Sequence, residues 1–178
     1  PPAAPLVWKS VDGVVEIQSP TVTGSDGVSY ALSTAPGATG NSNAPTDLYA
    51  TRDGVNWTHA ALGSQRIEDL SETGGVLYAI GTGPGSQGGT DYQLSTSSDG
   101  GANWSTVTTT LFPPLEAARR APGRVYLLRS GSYAVTTDCG ATFTELGAFG
   151  GSSRTLAVDP NDGLHLVSTG IPVPNQTP

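Results

Sequence analysis

The sequence predicts an all-β fold assembled from repeated β-hairpins, and three observations predict it. Turn formers are abundant: charged residues make up 13% of the chain, against 24 Gly and 14 Pro among 178 residues. No long stretch shows the apolar period of a helix, whereas short apolar runs are bounded by Gly and Asp turns. One motif also recurs: a hydroxyl residue, an Asp two positions on, a Gly and then an aromatic. It occurs as Thr51, Asp53, Gly54 and Trp57, as Ser97, Asp99, Gly101 and Trp104, and as Thr136, Asp138, Gly140 and Phe143.

The elements follow in chain order. Residues 1–5 read as a Pro-rich linker and 171–178 as a similar tail. The chain contains no Met, so residue 1 is not expected to be a translation start. A strand over 7–11 carries Trp8. Apolar alternation over Val14 to Val22, Ile67 to Leu70 and Thr155 to Val158 predicts first strands of a repeated unit. Turns containing Asp26 and Gly27, Gly74 and Gly75, Gly123, and Asp162 and Gly163 then lead into second strands opening near Val28, Val76, Val125 and Leu164. A third strand such as Thr46–Thr51 ends in the Asp motif, which turns the chain into a fourth strand opening at Trp57, Trp104 or Phe143.

Both the aromatics and the second strands repeat at intervals of roughly 40–50 residues, the period of a four-stranded propeller blade. The segment 6–170 is therefore expected to be a β-propeller of antiparallel blades. Three are complete, at about 14–60, 64–110 and 114–146, and a partial one spans 152–170. The 7–11 strand could close that partial blade, giving a four-bladed ring. Against it, Pro172 and Pro174 disfavour a paired third strand there. The other completion is a larger ring, in which the open sheet ends need another chain. The second is slightly favoured.

The motif's residue types fit a tight turn. A carboxylate or hydroxyl accepts bonds from backbone N–H groups that the turn leaves unpaired. Gly supplies positive φ, and the aromatic packs between sheets. These residues resemble the Asp-box (BNR) repeats of sialidase-like, xyloglucanase-like, sortilin-like and photosystem II assembly factor-like proteins, all of them β-propellers. The second copy matches best, the third has Phe143 in place of Trp, and the first is one residue shorter between Asp53 and Trp57. The resemblance implies that the motif is structural, lies between the third and fourth strands, and faces away from the ligand site. It does not carry over the arginine triad or the Tyr/Glu nucleophile pair of sialidases.

Several function classes are disfavoured. A net charge of −7 argues against nucleic-acid binding. No apolar run approaches the roughly 20 residues of a spanning helix. No phosphate loop or nucleophile elbow is present. His59 and His165 stand far apart, so neither a metal nor another cofactor is expected.

The candidates for chemistry are few. Asp47 and Asp91 follow Thr residues where Gly-rich loops rejoin third strands, and a carboxylate pair could do acid/base work on a glycosidic bond; turn capping is the plainer reading. Arg66, Arg119 and Arg154 fall near first strands but out of register, and Glu16, Glu68 and Glu116 read as solvated rim residues. Cys139, the one cysteine, reads as a turn residue or an interchain disulfide partner. Asn56, Asn103 and Asn175 open formal glycosylation sequons that read as chance. The expected function is a non-enzymatic module, secreted or at a cell surface, for binding, adhesion or assembly. Its partner would be a protein, a second copy or a carbohydrate. The alternatives are part of a glycoside hydrolase, or an assembly-factor or sorting-receptor domain.

Overall fold

Turn chemistry and strand periodicity together set the architecture. A computed structural model describes residues 17–34, 46–61, 66–84, 90–109, 111–129, 132–148, 155–159 and 162–169. It contains fourteen strands and, among the described residues, no helix. β1 (Ile17–Thr23), β2 (Ser29–Thr34), β3 (Thr46–Thr51) and β4 (Thr58–Ala61) form the first antiparallel sheet. β5 (Arg66–Thr73), β6 (Val76–Pro84), β7 (Thr90–Ser97) and β8 (Ser105–Thr109) form the second. β9 (Leu111–Ala117), β10 (Val125–Arg129), β11 (Ser132–Thr136) and β12 (Thr144–Ala148) form the third. β13 (Thr155–Val158) and β14 (Leu166–Thr169) make a two-stranded fourth. Within each sheet the strands lie in sequence order, as sequential antiparallel pairing by short turns requires.

The expected elements fall close to these strands, with two differences. The third sheet starts at Leu111 rather than near 114, because Pro113 and Pro114 lie inside β9. They are tolerated because β9 is an edge strand and the ladder steps over them, from Leu127 opposite Leu115 to Leu128 opposite Phe112. β14 begins at Leu166, leaving Leu164 exposed in the preceding turn. The strand expected at 7–11, the linker and the tail lie outside the described residues.

All three four-stranded sheets carry a bulge at one equivalent place. The first strand skips between Gln18 and Thr21, between Ile67 and Asp69, and around Pro113 and Pro114. Each bulge bends the edge strand that meets the neighbouring sheet. The first strands touch in succession, β1 to β5 to β9 to β13, and no comparable contact returns from β13 to β1 among the described residues. Side chains bridge these edges. Asp69 accepts Leu115 N at 2.8 Å, Ser71 accepts Ala117 N at 2.9 Å, and Thr46 accepts Ile67 N at 3.1 Å. Edge N–H groups that a lone sheet would leave unpaired are thus satisfied by the sheet before.

The core is divided in the same way. Tyr30, Leu32 and Leu48 of the first sheet pack with Ile67, Leu70 and Leu77 of the second, and Trp104 joins them. Tyr78, Ile80 and Leu94 pack with Leu115, Val125 and Leu127, and Phe143 joins them. Tyr126, Tyr133 and Val135 pack with Leu156 of the last sheet. Alternating inward residues of two sheets thus make each core.

Candidate functional site

The three Asp motifs form one kind of turn, always between the third and fourth strands of a sheet. In the second, Ser97 Oγ donates to Asp99 Oδ1 at 2.8 Å and accepts Gly101 N at 2.9 Å. Asn103 donates its backbone N to Oδ1 at 2.9 Å and its Nδ2 to Oδ2 at 2.7 Å. The third repeats this with Thr136, Gly140 N at 2.8 Å, and Thr142, whose N and Oγ1 bond Asp138 at 2.9 and 2.6 Å. In the first, Thr51 Oγ1 donates to Asp53, which also accepts Val55 N, Asn56 N and Asn56 Nδ2. Both oxygens of every Asp are therefore engaged by their own turn.

That engagement sets their acidity. The backbone N–H of Asn103, then its side chain, lowers the Asp99 pKa to about 2, and the side chain and then the backbone of Thr142 lower that of Asp138 to about 2. Asp53 is held lower still by the Asn56 and Val55 N–H groups. Asn56, Asn103 and Thr142 are thus members of the turn that the sequence reading passed over. Their signal was visible, an amide or hydroxyl residue immediately before each aromatic. It also explains why sequons arise at Asn56 and Asn103: the amides bind the carboxylates.

In the second and third turns the Gly lies close against the preceding sheet. A Cβ on Gly101 would strike Leu48 Cδ2, and one on Gly140 would meet Val107 Cγ1 at 2.7 Å. Gly54, in the first sheet, has nothing within 4 Å. Trp104 donates Nε1 to Gly101 O at 3.0 Å, while Trp57 Nε1 is buried without a partner.

The catalytic candidates do not come together. Asp47 is buried in the β3 ladder, opposite Ser33 and Ala61, and so caps no turn. Its Oδ2 lies 2.8 Å from His59 Nε2, and the His59 ring sits 5.0 Å from that of Tyr49. Asp91 pairs with Gly83 in β7, whereas the register equivalent of Asp47 is Gln93, opposite Gly81. The two Thr-Asp pairs are therefore offset by two residues along their strands. The Gly-rich loops beside them lie outside the described residues, apart from their ends.

The remaining charged candidates are dispersed. Arg66 pairs with Glu68 at 3.3 Å, Arg119 is exposed in the turn after β9, and Glu16, Arg154 and Asn175 fall outside the described residues. Glu116 is half-buried rather than a solvated rim residue; burial, and then the nearby Asp69 charge, raises its pKa. His165 is exposed and pairs with Asp162 at 3.5 Å. Among the described residues no three His, Cys, Asp or Glu side chains converge as metal ligands, and no helix is long and apolar enough to cross a membrane.

Cys139 is exposed and holds the positive φ that Gly100 holds in the second turn, at 59° against 72°. Tyr78 beneath it is fully buried and makes no hydrogen bond of normal geometry; burial, followed by the Cys139 thiol, pushes its pKa well up. No protein-family model matches this chain, and no curated protein matches it in sequence.

Proposed function

We propose that the chain is a non-enzymatic segment of an Asp-box β-propeller, secreted or displayed at a cell surface, that acts by binding, adhesion or assembly. The observation that carries this reading is the saturation of the Asp turns. The carboxylate of each Asp motif is engaged inside its own hairpin, and Asp47 is held by His59. The successive sheets, with first strands adjacent and aromatics packed backward, support the blade reading. Among the described residues no comparable contact returns from β13 to β1, in keeping with completion by another chain, a second copy or further propeller sequence.

Two measurements test it. Light scattering on the full chain should give a self-associated or partner-bound mass; a lone monomer of 18.1 kDa would argue for a small closed ring instead. A fluorogenic glycoside panel should show no turnover above background. Hydrolysis that disappears in Asp47→Asn or Asp91→Asn would replace the binding reading with a glycosidase.

A further inference from the structure

The third Asp turn departs from the second at one place. Gly100 holds a left-handed φ of 72°, and Cys139 holds the same conformation at 59°. Among the described residues Cys139 is the one non-glycine residue with a positive φ. That conformation opposes a side chain, so the thiol stands there against a strain that Gly100 does not meet. Strain of this kind points to a use for the side chain.

The use lies beneath it. Tyr30 and Tyr78 occupy the same place in β2 and β6, two residues past Val28 and Val76. A Cβ on Gly100 would stand 3.6 Å from the Tyr30 hydroxyl. At the equivalent place Cys139 carries a real Cβ, and its sulfur acts directly on the Tyr78 hydroxyl. Tyr78 is fully buried, and its hydroxyl has no hydrogen-bond partner. Buried donors without an acceptor are rare and costly. A thiol sulfur is a weak acceptor, whereas bonds to an ionised acceptor are about twice as strong as neutral ones. The Tyr78 O–H is thus a donor whose demand is met when the sulfur above it carries negative charge. Cys139 itself is exposed, so a reagent reaches it from solvent.

The surrounding charge selects the reagent. Besides the thiol, Asp138 and Glu72 act on the Tyr78 hydroxyl, and both are carboxylates. Hydrogen bonds within the turn keep Asp138 ionised, with a pKa of about 2. The whole chain carries a net charge of −7. Two copies of this turn therefore repel each other, as does an anionic reagent, while a small cation is drawn in.

We propose that Cys139 is a thiol-modification site, its thiolate held by the Tyr78 hydroxyl, that takes small cationic disulfides in preference to anionic ones or to a second copy of the chain. The step is thiol–disulfide exchange. The Cys139 thiol gives its proton to solvent, and its sulfur attacks one sulfur of the disulfide. A new S–S bond to Cys139 forms as the old one breaks, and the leaving thiolate takes a proton from water. Cys139 is oxidised and the departing half is reduced.

The test is the rate of mixed-disulfide formation on the full chain, followed by intact mass spectrometry, with cystamine and with glutathione disulfide. At pH 7 the folded chain should react with cystamine about tenfold faster than the same chain in urea. Glutathione disulfide should react more slowly at low salt, and the gap should narrow as ionic strength rises from about 0.05 to about 0.5 M. Tyr78→Phe removes a hydroxyl that has no partner, so the fold should persist by circular dichroism. Its reaction with cystamine should be about tenfold slower at pH 7. It should approach the native rate at about pH 9.5, where a thiol ionises without help. A folded chain no faster than the unfolded one, an unchanged rate in Tyr78→Phe, equal rates for the two disulfides at low salt, or a disulfide-linked dimer as the main product would each overturn the proposal.

Discussion

At the residue scale, the hydroxyl that begins each turn carries more of the structure than the Asp that stands out in the sequence. Ser97 and Thr136 are buried and accept the N–H of a buried Gly, whereas the carboxylates beside them reach solvent. Thr136→Val keeps the shape but strands Gly140 N–H and removes one of the two hydrogen bonds to Asp138 Oδ1. It should cost about 1–3 kcal/mol of stability, read from denaturant unfolding. The carboxylates govern the acid limit. Their folded pKa values, about 2 for Asp99 and Asp138, lie below the ordinary 3.8. Their contribution is therefore complete above pH near 4 and is lost as pH falls through about 2. Trp fluorescence during acid titration should show that loss, and Asp138→Asn should flatten it. Asp69, pushed up by burial, acts with the opposite sign and does not produce an acid-side loss. Asp and Gly were legible in the sequence because spacing repeats them. Asn56, Asn103 and Thr142 were not read, because two residue types serve one role.

At the scale of the element, the turn is a joint between sheets. Gly101 touches Leu48 of the preceding sheet, and Gly140 touches Val107. Gly54 touches nothing, although its φ of 71° is equally left-handed. Gly54→Ala should therefore cost about 1–2 kcal/mol, the backbone penalty alone, while Gly101→Ala adds overpacking of about 1–3 kcal/mol. Thermal unfolding of the two variants side by side reads the difference. Cys139 tests the converse. It holds a left-handed φ with a side chain, so Cys139→Gly should relieve about 1 kcal/mol of backbone strain. A lower melting point in that variant would show that the thiol over Tyr78 matters more than the strain. The strands were well legible, because period-2 apolar runs bounded by Gly turns have few alternatives. The offset of Asp47 from Asp91 was not, because matching Thr-Asp pairs hide a register that only strand pairing reveals.

At the scale of the whole molecule, both joints between the four-stranded sheets run one way: the turn and aromatic of one sheet pack onto the sheet before it. Among the described residues no sheet receives the turn of the first, and the last described sheet leaves Val167 65% exposed on β14. If assembly completes the array through that face, Val167→Asp should leave the circular dichroism of the fold unchanged while reducing the mass seen by light scattering. The all-β class was readable from composition and repeat. Whether the sheets close into a ring was not, because closure depends on surfaces at the two ends rather than on any pattern inside a unit.

The one-way joint has a consequence for how such a chain changes length. Each unit carries both halves of the contact, a Gly and aromatic on one side and a receiving pocket on the other. Tandem duplication of a whole unit, some 45 residues, inserts a sheet whose neighbours meet it with contacts they already possess. A duplication or deletion that breaks within a unit separates a knob from its socket and leaves an apolar face open to water. Length in this lineage of sequences should therefore vary in steps of whole sheets, with point changes such as Gly100 against Cys139 marking one copy from the next.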